Sequence, residues 1–434
     1  MLKSLLTVLL FLGLLGGAAT AGMLPVPPAQ PKIPDRTFNL KDFGAVADGT
    51  TLNTEAITRA IAAVKAAGGG RLIIPAGKWL TGPLDLCGQL DFHLAAGATL
   101  LFSPEFSLYR SGKDKFRPLL LATKVSDLVI SGPGIINGNG EAWWTEAHRF
   151  KAEARAKGAR NDTSPRPNLV GFESCVRARL EGVTLTSSPK FNFVPARCTD
   201  ITVDGITILN PDESPNTDGI DPSTTQRMLI TRCVIDTGDD NIAVKSGAKN
   251  GDAVSDLLVE NCTFIHGHGC SLGSELGAGV KNMLVRNCTF EHTDIGIRFK
   301  SDRLRGGVVE DVVFENITMK DVGQAIVITS YYVGLPKPGQ HDELKPVTAD
   351  TPIWRNLTIR NVTATAGRRS AGLIIGLPEM PAGPLLLENI RIEAPVGLRI
   401  GYAKDLTLRG VTIIPAEGEP LLIEDTVANL KRTD

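Results

Sequence analysis

Between positions 216 and 300 the chain carries four short polar clusters: Asn216-Thr217-Asp218, Gly238-Asp239-Asp240, Gly267-His268-Gly269 and Arg298-Phe299-Lys300. Three carboxyl groups, an imidazole and two cations could together do acid–base chemistry. Glycoside hydrolysis needs one carboxylic acid to protonate a leaving oxygen and one carboxylate to draw a proton from water. Like charges at short range push at least one pKa up, so that one carboxyl keeps its proton near neutral pH. His268 could tune the protonation of Asp239. Arg298 and Lys300 suit an anionic sugar, because guanidinium grips a carboxylate bidentately. Taken singly the signals are weak, since Asp and Asn are frequent in turns. Calcium binding is the competing use of clustered carboxylates. His268, Arg298 and Lys300 in the same patch weigh against it, and no metal or other cofactor is expected.

What must position these residues is a repeat. A short phrase recurs as GVTL at 182, GITI at 205, RCVI at 232, NCTF at 261 and 287, NITM at 316, NVTA at 361, NIRI at 389 and GVTI at 410. Its first intervals are 23, 27, 29, 26 and 29 residues. Each phrase follows an apolar, β-branched run, and Gly, Asn or Asp divides the runs. A period of this length signals a solenoid, and three short strands per unit fit one coil of a right-handed parallel β-helix. The fold class is therefore all-β. Coils stack about 4.8 Å apart, so equal offsets pile up. Asn261, Asn287 and Asn316 are expected to form an inward ladder, with Cys233, Cys262 and Cys288 stacked beside it. The Asn-x-Thr triplets at 261, 287, 316, 356 and 361 read as ladder positions rather than glycosylation sites.

Aligned on their apolar strands, Thr217–Asp221 lies against Asp239–Ala243, then His268–Leu272, then Asp294–Arg298. Asp218 then stacks on Asp240, Asp239 lies under His268, and Arg298 and Lys300 follow one coil further along. The patch is about 15 Å long. Strand alternation would put Asp239 and Asp240 on opposite faces unless the chain bends at Gly238. Ile57, Ala60, Ile61 and Val64 define one amphipathic helix over 53–67, stopped by Gly68 and assigned as the N-terminal cap of the stack. Residues 141–168 interrupt the strands as a long excursion with some helix. Residues 333–352, with several prolines, form a second excursion, a loop. Such loops often wall a cleft.

The chain has 434 residues, 45 Gly, 27 Pro, 42% hydrophobic residues and a net charge of -1. That is enough apolar material for a core, and wholesale disorder is excluded. Near-neutral charge argues against a general nucleic-acid binder. Lys3, the apolar run from Leu5 to Leu15 and Ala19-Thr20-Ala21 read as a secretory signal over 1–21, too short to span a bilayer comfortably. A Pro-rich leader follows over 22–36, then a single β-helix domain over 37–434. A secreted or periplasmic location is expected, with no membrane partner beyond the signal. Seven cysteines are an odd number for a secreted chain, and no CxxC pair suggests zinc.

With these four motifs in order, the sequence resembles glycoside hydrolase family 28, the polygalacturonases, over roughly 38–430. The resemblance implies a right-handed parallel β-helix and roles for individual residues. Asp239 would be the general acid, Asp218 and Asp240 would activate water with inversion, and His268 would support the acid. Arg298 and Lys300 would hold a galacturonate carboxylate, and Asn216 belongs to the first signature. The family's tyrosine would be Tyr332, with Tyr331 as the second choice. Three departures stand out. Ser330 replaces the usual Gln before that tyrosine. Phe299 stands where Ile is usual. Ser188-Pro189-Lys190-Phe191-Asn192 lacks the common aromatic-plus-His version. Retention of both His and the Arg/Lys pair favours polygalacturonate over rhamnogalacturonan, with a related pectin-backbone hydrolase acting on rhamnogalacturonan or xylogalacturonan as the alternative. Gly273-Ser274-Glu275 and Gly279-Val280 resemble bacterial exo-acting members. Two other functions stay open at this point: a calcium-dependent pectate lyase, and a non-enzymatic carbohydrate binder of adhesin or tailspike type.

Overall fold

The structure is a computed structural model and describes residues 24–158, 163–249 and 251–433. The expected signal over 1–21 lies outside the described residues. Strands from Thr37–Asn39 to Lys431–Thr433 pair in parallel, coil upon coil, as a parallel β-helix. One small antiparallel hairpin, Arg110–Gly112 with Lys115–Phe116, stands apart from the stack. Among the described residues no helix is long and apolar enough to cross a membrane.

The repeat exists because each coil needs a left-handed backbone residue at the same place. The first residue of every phrase has positive φ: Gly182 69°, Gly205 60°, Arg232 55°, Asn261 57°, Asn287 54°, Asn316 55°, Asn361 55°, Asn389 52° and Gly410 58°. Gly meets this demand freely, and Asn is among the residues that tolerate it best. The Asn ladder forms, with Asn316 donating to Asn287, Asn361 to Asn316 and Asn389 to Asn361 at 3.0–3.1 Å. It points outward, however, and Asn261, Asn287 and Asn316 are exposed. That corrects the expected inward ladder: the left-handed turn residue aims its side chain at solvent. The inward polar positions are instead Asn192, Asn210 and Asn241, buried beneath the Asp motifs. All seven cysteines are free and buried, Cys233, Cys262 and Cys288 among them.

A second left-handed row runs through Asp127, Arg177, Asp200, Arg227 and Asp256 on successive coils. Arg177 grips Asp127 and Arg227 grips Asp200 bidentately. The Pro-rich leader lies along this row. Lys32 N–H donates to Asp127 at 3.0 Å, Ala29 N–H to Asp200 at 3.1 Å and Val26 N–H to Asp256 at 3.2 Å. Three residues of polyproline II rise about 9.3 Å, and two coils about 9.6 Å. The leader therefore meets every second coil in register and straps five coils together.

Helix α1 (Thr54–Ala66) packs Ile57, Ala60 and Val64 completely inside, against the first coils. It covers the open apolar end as expected. Its N-cap Asn53 does not cap. Its side chain instead ties Val46, Thr51 and Leu80. Helix α2 (Glu141–Ala156) is the helical part of the first excursion. Trp143 pins it by stacking on Phe106 at 3.8 Å with Phe116 edge-on. Residues 333–352 form no helix or strand.

Candidate active site

The site is built where Ile220, Ile242, Cys270 and Ile297 pair in one inward row on consecutive coils. All four are fully buried. They anchor the turns that precede them, and those turns carry the chemistry. Asp218 and Asp240 stand two residues before Ile220 and Ile242 and so stack as expected. Asp239 and Asp240 lie in the bend before the strand Ile242–Ser246, so strand alternation does not separate them. Gly238 serves by its size: a Cβ there would sit 2.3 Å from Ser214 O.

The upper coils shift the expected register by one. Ile242 pairs with Cys270, where the alignment put Ser271, and Ser271 pairs with Arg298, where it put Leu272. The turn from Ile265 to Cys270 is one residue shorter than those from Asp236 to Ile242 and from Glu291 to Ile297, and left-handed Gly267 and Gly269 let the backbone make it. The shift matters, because Leu272 points into the core and Ser271 does not face it as an apolar residue would. Arg298 thus joins Ser271 and Asp221 on the outer face. His268 still reaches both acids, its Nδ1 lying 3.1 Å from Asp239 Oδ1 and 3.8 Å from Asp240 Oδ1. Its Nε2 is 3.5 Å from Asp294.

Lys300 donates to Asp240 Oδ2 at 2.6 Å, while Arg298 and Ser271 donate to its Oδ1 at 3.2 and 2.7 Å. Both signature cations therefore already balance a buried carboxylate. Asp239 accepts from the Asp240 N–H at 2.9 Å and from Asn216 Nδ2 at 3.3 Å. Tyr332 is near the cations, its ring 5.9 Å from Lys300 Nζ and 5.3 Å from the Arg305 guanidinium. Tyr331 is not part of this group, as its hydroxyl donates to Asp342 at 2.8 Å on the 333–352 loop.

Burial and the neighbouring charge of Asp221 raise the pKa of Asp218 well above the carboxylate range, against the pull of Lys245. Burial likewise lifts Asp221 to about 6, opposed by Lys245. Burial would lift Asp239 too. The His268 hydrogen bond and charge, Lys300 and the Asp240 N–H outweigh it and hold Asp239 below the usual range. Burial lowers His268, but Asp239 and Asp240 reverse that and raise it above 6.5. Both directions favour the ionic form of the His268–Asp239 pair.

Sequence reasoning missed three groups. Arg166, in the segment after α2, is 7% exposed and donates to Pro189 O, Pro215 O and Asn216 Oδ1 at 2.7–2.8 Å. It thereby holds the amide that reaches Asp239. Nothing periodic marks Arg166, since it comes from the excursion. Lys245 bridges Asp221 at 2.6 Å and Asp218 at 3.3 Å. A signal for Lys245 was present: Ile242-Ala243-Val244-Lys245 has the same spacing as Ile297-Arg298-Phe299-Lys300. Asp221 stood in the aligned unit without a role.

Asp239, Asp240 and His268 offer ligand atoms within 4.8 Å of one another, a spacing a metal ion could use. Lys300 and Arg298 on Asp240 would repel such a cation. A recess of about 440 Å³ opens beside His268, lined also by His266, His292, Asp294 and Arg368.

Stacked carboxylates with an imidazole and paired cations, on the outer face of a parallel β-helix, define a carbohydrate-active solenoid of the hydrolase kind. The chain belongs to the glycosyl hydrolases family 28, whose sequence signature matches residues 66–414. A probable polygalacturonase of Vitis vinifera is 31% identical over 379 residues, 82% of this chain and 74% of that protein. An endo-polygalacturonase of Pectobacterium carotovorum subsp. carotovorum is 29% identical, with 84% and 89% covered. Among solved structures, a hyperthermoactive exopolygalacturonase from Thermotoga maritima matches with a TM-score of 0.71 at 27% identity, covering 88% of this chain and 94% of that one.

Proposed function

We propose that the protein is an inverting hydrolase of α-1,4-galacturonosidic bonds in polygalacturonate or its oligomers. The observation that carries this is the convergence of Asp239 and Asp240 on His268, with Asp218 stacked on Asp240. Asp239 delivers a proton to the leaving oxygen, supplied from the protonated His268 at its side. Asp218 and Asp240 orient and deprotonate the attacking water. Inversion needs that water between acid and base. Arg298, 18% exposed at its side chain and with one N–H on Asp240, has donors left for a substrate carboxylate. Lys300 supports it from below, and Tyr332 borders the same place. An anionic cell-wall polysaccharide as substrate agrees with the expected secretion or periplasmic location.

Attack from the chain end is the favoured mode. The segment after α2 grips the coils before the Asp motifs through Arg166. The 333–352 loop is tied to the coil of Asp239 and Asp240, Asp350 pairing with Lys249. The Thermotoga exopolygalacturonase shares the fold over nearly its whole length. The Pectobacterium relative, an endo-polygalacturonase, favours internal attack. Sizing the earliest products of polygalacturonate digestion separates the two. Galacturonate monomer from the outset is expected, and a mixture of long oligomers would overturn the exo assignment.

A further inference from the structure

The three buried Asp residues of the site, Asp218, Asp221 and Asp240, are unequally served by cations. Asp240 has Lys300, Arg298 and Ser271. Asp218 has Lys245 alone, and it shares that cation with Asp221. Asp218 and Asp221 are 4% and 1% exposed. The second oxygen of each, Oδ1, has no hydrogen-bond partner in the protein. Lys245 comes from the end of Ile242–Ser246, on the row that carries Lys300 two coils later. Its Nζ is 2.6 Å from Asp221, 3.3 Å from Asp218 and 4.0 Å from the Phe191 ring centroid. An ammonium has three N–H donors; two go to Asp221 and Asp218, and the Phe191 ring lies against the ammonium. Lys245 thus bridges two protein carboxylates, whereas Arg298 meets one.

We propose that Lys245 is a positioning residue that acts through Asp218, holding that carboxylate oriented and charge-balanced for water activation, with Asp221 as the counterweight that limits the hold. The proposal rests on the hydrolase reading above. Phe191 takes part by covering the ammonium, so the departure at Ser188–Asn192 from the usual family pattern has a local use. The charged groups facing Asp218 are Asp221 in its own turn, Asp239 and Asp240 on the next coil, and Lys245. Lys190 on the coil before and Arg166 from the excursion add positive charge. Losing Lys245 leaves Asp218 among like charges and makes it harder to ionise. Losing the Asp221 charge gives Asp218 the whole of Lys245 and makes it easier to ionise. The two changes thus push in opposite directions.

The test compares wild type, Lys245→Met, Lys245→Arg and Asp221→Asn on polygalacturonate across pH, with circular dichroism and melting as fold controls. Lys245→Met is expected to lower kcat about 100-fold with KM within about threefold, and to move the acidic limb of kcat up by about one pH unit. Lys245→Arg recovers part of kcat. Asp221→Asn moves the acidic limb down. A raised KM at unchanged kcat in Lys245→Met would make Lys245 a substrate contact and overturn the proposal, as would limbs that do not move or move together. If Lys245→Met does not fold, the sign of the Asp221→Asn shift decides. If wild type itself releases no reducing ends, the hydrolase reading fails. Carboxyl-carbon NMR titration of Asp218, assigned with Asp218→Asn, then still decides whether Lys245 controls its ionisation.

Discussion

At the scale of single residues, the proposed roles put the alkaline side of activity under the proton of the His268–Asp239 pair. His268 is raised above 6.5 by Asp239 and Asp240. A raised histidine keeps its proton below that value and loses it as pH rises through it. The kcat/KM profile should therefore fall on the alkaline side above pH 6.5, and His268→Gln should lower activity and abolish that limb. An unchanged alkaline limb in His268→Gln would show that the proton is held elsewhere. The clustering of Asp218, Asp239, Asp240 and His268 was legible because their types and spacing repeat coil by coil. The one-residue register shift was not, since Gly267 and Gly269 carry no side chain to signal that the turn is a residue shorter. Arg166 was illegible for a different reason. A contact between residues 166 and 216 is made by an excursion, whose path no periodicity constrains.

At the scale of elements, repetition explains both what the sequence disclosed and what it hid. The period near 27 and the recurring Gly or Asn reflect one left-handed position per coil, and Arg232 occupies it as well. Which way that side chain points depends on the left-handed φ, and composition does not carry this, so the ladder of Asn287, Asn316, Asn361 and Asn389 proved to be outward. The Pro-rich leader was legible as a segment, but its contacts were not. Its three N–H donors, three residues apart, meet carboxylates on alternate coils, and three residues of extended Pro-rich chain rise about as far as two coils. Hydrogen bonds to charged acceptors are each worth about 1.5 kcal/mol or more. Deleting residues 24–34 should lower the melting temperature by roughly 5 °C while leaving kcat on short substrates within about twofold. An unchanged melting temperature would mean that the leader merely rests on the stack.

At the scale of the whole molecule, the near-neutral net charge of -1 conceals a local balance. Four Asp residues meet Lys245, Lys300, Arg298, Arg166 and His268 within a few coils, and the solenoid lines them up without any other architecture to aim them. The fold by itself does not choose the chemistry, since a stack of coils can bind, eliminate or hydrolyse a polysaccharide. The choice lies in whether water is activated opposite a proton donor. Proton NMR of the first sugar released from α-linked polygalacturonate reads this directly. The account predicts that the β-anomer forms first and equilibrates only later, with no unsaturated product absorbing in the ultraviolet. The α-anomer first, or an unsaturated product, would contradict it.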